Sequence, residues 1–301
     1  MQVGEIKLGK GKIYRVRGPA LLYVKEGKIF ALGREFLPNS TLKVSKGRVY
    51  ALKAIENTVL NVSTGLEGRF EEAKPGEEAI EEWIKNSKII LEDQVKRIIV
   101  LGGTDCGKST FITFLVNMAL DKNMRIAVID ADVGQNDIGP PATVSLAIPE
   151  KQLDHLRSLK PYRMFFIGSI TPYGVEDLLI SSILRLTEIA EKNNVEKIIV
   201  NTDGWLEAVE AVMYKTKLIY YLNADAIIEM YREDLEKIYH KIEKICKKSY
   251  KVAIPKAIHK RSKSERSFLR SQGYMRFLKD AQVRTIDLEN VPILNSCLLY
   301  T

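Results

Sequence analysis

Long apolar runs are absent from this chain. No stretch of its 301 residues approaches the ~18 consecutive apolar residues that a membrane-spanning helix needs. The opening residues, Met1-Gln2-Val3-Gly4-Glu5, hold no apolar core of the length a secretory signal uses. Cysteine is scarce: Cys106, Cys246 and Cys297 stand far apart and are odd in number, a pattern that suggests neither a disulfide framework nor a metal site. These absences lead to the expectation of a reducing intracellular compartment, cytoplasmic or (in a eukaryote) nuclear, and of no membrane partner. Internal repeats and low-complexity tracts are also missing. Apolar content of 46% and charged content of 28% are those of an ordinary globular protein, long enough for one large domain with small additions.

Charge is present and unevenly placed. The chain carries a net +8, yet the window from Lys244 to Lys279 holds twelve Lys or Arg against one acid, Glu265. That window's +11 leaves −3 for the remainder. Basic charge so concentrated is an electrostatic footprint for a polyanion.

Residues 1–75 read as a β-rich N-terminal domain, in which short β-branched and aromatic runs alternate with turn signals such as Gly18-Pro19 and Lys46-Gly47. Residues 77–96 read as a helix leading into a core over 76–281. There, strand candidates at 98–101, 126–130, 164–167, 197–201, 226–229 and 250–254 alternate with helical stretches. Their near-continuous Ile and Val imply strands buried on both faces, hence an α/β fold with a mostly parallel sheet. A basic helix is expected over 260–281, and a short C-terminal β segment over 282–301.

Four stretches carry chemistry. Gly102-Gly103-Thr104-Asp105-Cys106-Gly107-Lys108-Ser109-Thr110 fits G-x-x-x-x-G-K-[ST], with a strand before it and an apolar helix after it. In this phosphate loop (Walker A), the backbone N–H groups of Gly103, Thr104, Asp105, Cys106, Gly107, Lys108, Ser109 and Thr110 would cradle phosphates. Lys108 would reach the β- and γ-phosphates and the Ser109 hydroxyl would sit on Mg²⁺. The second strand ends in Asp130-Ala131-Asp132-Val133-Gly134-Gln135, where alternation puts both carboxylates on one side at the ligand end of the sheet. Thr202-Asp203-Gly204-Trp205 follows another strand; its tryptophan either stacks on a nucleobase or packs beneath the sheet. Arg266 and Arg270, at i and i+4, share a helical face, either as ordinary solvated arginines or as a lid over a triphosphate.

The order Gly-rich loop, Asp-x-Asp-x-Gly-Gln, Thr-x-Gly-Trp, Arg-x-x-x-Arg resembles the polynucleotide 5′-hydroxyl-kinase family of RNA processing, over residues from about 97 to 276. That family includes the kinase subunit of the pre-mRNA cleavage factor and the nucleolar pre-rRNA kinases. The resemblance implies an ATP- and Mg²⁺-dependent kinase acting on the 5′-hydroxyl of RNA or DNA, with possible protein partners in an RNA-processing complex. It implies that Lys108 neutralises the transferring phosphate, that Asp132 is the general base, and that Ser109 and Asp130 are metal-linked. It further implies that Thr202, Gly204 and Trp205 grip the terminal nucleotide with Gln135 near the substrate end, and that Arg266 and Arg270 form the lid. A larger C-terminal domain present in some relatives is expected to be reduced.

Two other readings compete. A non-catalytic, ATP-loaded scaffold would keep the nucleotide site, but it would not need Asp132, Arg266 and Arg270. A partitioning ATPase or GTPase switch would carry a second lysine early in the phosphate loop or an Asn-Lys-x-Asp run. The chain has neither.

Overall fold

The computed structural model describes residues 2–256, 258 and 260–285. Nine strands come first: β1 (Gln2–Leu8), β2 (Ile13–Arg17), β3 (Ala20–Glu26), β4 (Ile29–Ala31), β5 (Arg34–Phe36), β6 (Thr41–Val44), β7 (Val49–Ala54), β8 (Thr58–Thr64) and β9 (Arg69–Glu72). They form a four-stranded sheet, β1-β8-β3-β6, and a five-stranded one, β5-β4-β7-β2-β9. Alternate residues, such as Leu22 and Val24 on β3 and Leu52 and Ala54 on β7, turn inward to a shared core.

Helix α1 (Ile80–Glu92) leads to β10 (Arg97–Leu101), α2 (Lys108–Asp121), β11 (Ile126–Asp130), β12 (Thr143–Ala147), β13 (Arg163–Phe166), α3 (Glu176–Glu191) and β14 (Lys197–Asn201). Then follow α4 (Val209–Leu222), β15 (Ala226–Tyr231), α5 (Glu236–Glu243), β16 (Ser249–Ala253) and α6 (Lys263–Leu278). The expected helix over 77–96 is shorter because Glu77 and Glu78 fold back onto Arg15 of β2. The seven strands from β10 onward lie in the order β13-β12-β11-β14-β10-β15-β16. On β10, Ile98 and Val100 pack toward α1 and α2, while Ile99 and Leu101 pack toward α3, α4 and α5. Burial on both faces explains the continuous apolar runs.

The sheet is mixed at one side. β12 pairs antiparallel with β11 and β13 antiparallel with β12. Sequence periodicity gave no sign of β12. Its Thr143 and Ser145 are buried polar residues satisfied by Asn136, whose Nδ2 donates to Thr143 O at 2.8 Å and Ser145 Oγ at 3.2 Å. The C-terminal β segment expected over 282–301 shows no strand at 282–285, and its remainder lies outside the described residues.

The β4–β5 hairpin attaches the small sheets to the core. Leu32 and Gly33 take φ of 51° and 78°, as a two-residue primed turn requires. A Cβ on Gly33 would overlap the Phe114 carbonyl of α2. Asn117, buried on α2, donates to Leu32 O and Leu153 O, both at 2.7 Å.

Candidate active site

Parallel pairing of β11, β14 and β10 brings three loops together at the carboxyl ends of these strands. This is where open α/β sheets bind ligands. The loop after β10 turns into α2 through Gly107, whose φ of 94° belongs to the left-handed region. α2 has no side-chain cap, so its first N–H groups face the cleft, a ready site for phosphate oxygens. Lys108 is folded back: its Nζ donates to Gly102 O at 2.7 Å and Gly103 O at 2.9 Å. Ser109 Oγ makes no hydrogen bond among the described residues, and Cys106 is buried beneath the loop.

Asp130 and Asp132 do not share a face, because β11 ends at Asp130 and the chain turns. Asp130 is wholly buried; it accepts from Asp132 N (3.2 Å), Asp137 N (2.7 Å) and Asn201 Nδ2 (2.9 Å). Burial, with Asp137 and Asp132 close by, pushes it up to about 8. Asp132 accepts from Gly134 N and Gln135 N through one oxygen, at 3.2 and 3.0 Å. Burial raises it to about 6 against the opposing pull of Lys108. No cluster of three or more His, Cys, Asp or Glu fit to hold a metal occurs among the described residues. A cation here would take the Ser109 hydroxyl and the ligand's own phosphates, as Mg²⁺ in phosphate loops does, which leaves Asp132 free. Asp130 would act behind Asp132.

The Thr202–Trp205 loop lies against the phosphate loop. A Cβ on Gly204 would stand 2.5 Å from Thr104 N, so only glycine fits. Thr202 is buried and donates to Val100 O at 2.7 Å, which makes it an anchor of the loop. Trp205 is partly exposed, packed on the core below and edge-on to Tyr173 at 5.9 Å. Gln135 Nε2 donates to Gly134 O, while its buried Oε1 has no partner.

Of the two arginines expected to form a lid, Arg266 lies nearer the phosphate loop. Its Nη2 donates to Asp105 of the phosphate loop at 2.8 Å, and Arg261 N donates to the same carboxylate at 3.1 Å. Arg266 Nε is buried without a partner among the described residues. Arg270, one turn on, makes no side-chain hydrogen bond among the described residues and is half-buried.

Sequence reading missed several residues. The cleft beside the phosphate loop is walled by Arg48, Val49, Tyr50 and Ala51 of the N-terminal sheets and by Glu78, Ala79, Ile80 and Trp83 at the start of α1. Nothing local marks them. Asp203 and Lys215 form a buried ion pair at 2.6 Å. Here a signal existed: Ala211, Lys215, Leu218 and Leu222 make one stripe of α4, with a lysine standing in an apolar position.

Comparison with known proteins agrees with this arrangement. The model of the mRNA cleavage and polyadenylation factor CLP1 P-loop matches residues 102–280. Among curated relatives, a polyribonucleotide 5′-hydroxyl-kinase of Pyrococcus furiosus is 31% identical over 212 residues, 70% of this chain and 58% of its own length. Another, of Methanocaldococcus jannaschii, is 34% identical over 198 residues, 65% of this chain and 54% of its own. The chain thus spans little more than half the length of these relatives. In fold it is similar to the wild-type Clp1p–Pcf11p complex structure, with a TM-score of 0.72 at 14% identity, covering 95% of this chain and 75% of that one. No helix among the described residues is long and apolar enough to cross a membrane. With a tryptophan loop and an arginine helix both in contact with a phosphate loop, an acidic turn lining the same cleft as that loop, and a family match over more than half its residues, the chain belongs to the CLP1 P-loop family.

Proposed function

We propose that this protein is an ATP-dependent polynucleotide 5′-hydroxyl kinase whose main substrate is RNA. One observation carries the reading: Gly204 seats the tryptophan loop directly on Thr104, so a nucleotide end held at Trp205 would lie beside the phosphate cradle. A nucleotide-only switch has no need of that contact. The similar archaeal proteins named as polyribonucleotide 5′-hydroxyl-kinases support the same chemistry.

The triphosphate would lie along the loop and the N-terminus of α2, its nucleoside in the cleft walled by Tyr50 and Trp83. Lys108 would exchange the Gly102 and Gly103 carbonyls for phosphate oxygens. Asp132, recessed and raised toward neutrality, would accept the proton of the 5′-hydroxyl as its oxygen attacks the γ-phosphorus in line. The bond from that phosphorus to the bridging oxygen breaks and ADP leaves. Arg266, with its free Nε, and Arg270 would offset charge on the transferring group. Mg²⁺, held by Ser109 and the phosphates, would supply the remaining charge neutralisation. Gln135 Oε1, an unpaired buried acceptor, would take a hydroxyl of the terminal ribose.

The test is transfer from γ-labelled ATP to 5′-hydroxyl RNA and DNA oligonucleotides with Mg²⁺. Wild type should label RNA, and Lys108→Ala and Asp132→Asn should each lose about 100-fold or more. Tight ATP binding without labelling of either polymer would instead support a nucleotide-loaded scaffold with protein partners.

A further inference from the structure

Lys215 is a costly residue. It is completely buried on α4, its one hydrogen bond goes to Asp203 Oδ2 at 2.6 Å, and its ammonium lies over the Tyr214 ring at 4.3 Å. Burial pushes it down from the usual lysine range, against the Asp203 carboxylate. A buried ion pair of this kind is commonly replaceable by apolar residues with no loss of stability, so its presence points to a geometric task. Asp203 shows what that task is. Its other oxygen, Oδ1, accepts from Trp205 N at 2.9 Å, so the carboxylate ties α4 to the backbone that carries the indole.

The rest of the loop is fixed from below as well, Thr202 on Val100 O and Gly204 on Thr104. Against Trp205 stands Tyr173, with ring planes 83° apart, although Tyr173 is 66% exposed. Its loop is tied in turn to the acidic turn, since a Cβ on Gly134 would meet Ile170 O at 2.9 Å. Two aromatic rings therefore meet at a right angle on loops that touch the phosphate loop and the acidic turn, one braced by a buried ion pair and one left in solvent.

We propose that Tyr173 adds a second wall beside Trp205 and so completes a seat for the 5′-terminal nucleobase, and that Asp203 and Lys215 are the positioning residues that hold the tryptophan's loop. This rests on the kinase reading. Stacking on such walls accepts any base, because every base has a π-face.

The test uses the full chain and three variants. Tyr173→Ala removes the exposed wall. The double variant Asp203→Leu/Lys215→Met removes both charges and the acceptor for Trp205 N. Asp203→Asn/Lys215→Met removes both charges but keeps an amide oxygen there. The first two should raise the KM for a 5′-hydroxyl oligonucleotide by about tenfold, with the KM for ATP within about twofold. The asparagine pair should restore a near-wild-type oligonucleotide KM.

Unchanged oligonucleotide KM in Tyr173→Ala would overturn the seat. An asparagine pair as impaired as the leucine pair would overturn the positioning role. Should wild type transfer no phosphate, the kinase reading falls alone. Quenching of tryptophan fluorescence by the oligonucleotide, with Trp205→Phe as the control, then decides the seat. Quenching in wild type that weakens in Tyr173→Ala would support it, and no quenching in wild type would overturn it.

Discussion

Gly204 and Asp105 show how much of the site depends on single residues at close quarters. Gly204 faces backbone, the N and Cα of Thr104, so a methyl there cannot be absorbed by a side-chain rotation. Gly204→Ala should weaken nucleotide affinity by about 1–3 kcal/mol through displacement of the phosphate loop. A nucleotide titration checks this, and an unaltered Kd would mean that the two loops part freely. Asp105 holds a left-handed φ of 58° and is the acceptor for Arg261 and Arg266. Asn tolerates the same backbone conformation but lacks the charge. Asp105→Asn should therefore free α6 without disturbing the loop, and should raise tryptic cleavage around Arg261 and Lys263. An unchanged digestion pattern would assign the hold on α6 to its other contacts.

Elements differ in how firmly they are held. α6 has a capping box, Ser262 with Glu265, but no buried residue. Its attachments are polar or local: Arg266 to Asp105, Arg276 Nη1 to Asp137 O at 3.1 Å, and Gly273 against Pro141. Such an element opens at low cost. The turn at Leu156–Ser158 is the opposite case. His155 caps it by accepting from Arg157 N, within a buried group of Arg48, Arg157 and Asp137. Burial and Arg48 push His155 down to about 3. Since its folded-state value lies below the unfolded one, the stability it confers is complete above about 6.5 and is lost as pH falls toward 3. Asp137, held well below the usual carboxylate range despite its burial by His155, Arg48 and Arg157, adds its own loss only below about 4. His155→Asn keeps a capping oxygen without the titration. It should flatten the fall in thermal stability between pH 7 and 4.5, worth on the order of 2 kcal/mol in wild type. Parallel curves for the two proteins would contradict this.

What sequence revealed at this scale was whatever depends on local spacing. The phosphate loop, the five parallel strands and the basic helix all declare themselves within a few residues. β12 does not, because its alternation of Thr143 and Ser145 with Val144 and Leu146 reads as an exposed edge, whereas Asn136 makes the polar side an interior one. Asp130 likewise reads as a free carboxylate until Asn201, 71 residues away, is seen to bind it.

For the whole molecule, the small N-terminal sheets are bound to the core by contacts between distant parts of the chain. Arg15 reaches Glu77 and Glu78; Tyr50 donates to Asp154 O at 3.1 Å; Asn117 donates to Leu32 O. Basic charge gathers in the sequence from Lys244 to Lys279, which includes α6. Oligonucleotide affinity should consequently fall with salt, by a slope of about −0.7 in log–log form for each single-strand phosphate neutralised. Arg270→Gln should reduce that slope by about one phosphate, whereas an unchanged slope would place Arg270 away from the strand.

The cleft wall has one further consequence. Because Arg48 to Ala51, Glu78 to Ile80, Trp83 and the phosphate loop all border the same space, a nucleotide filling it joins parts of the chain otherwise linked mainly by side chains. At a hundredfold excess over Kd that linkage adds about 2.7 kcal/mol. The ligand thereby becomes part of the cooperativity of unfolding. Calorimetry of the empty protein should show the N-terminal sheets melting ahead of the core, and saturating nucleotide should merge the two endotherms into one.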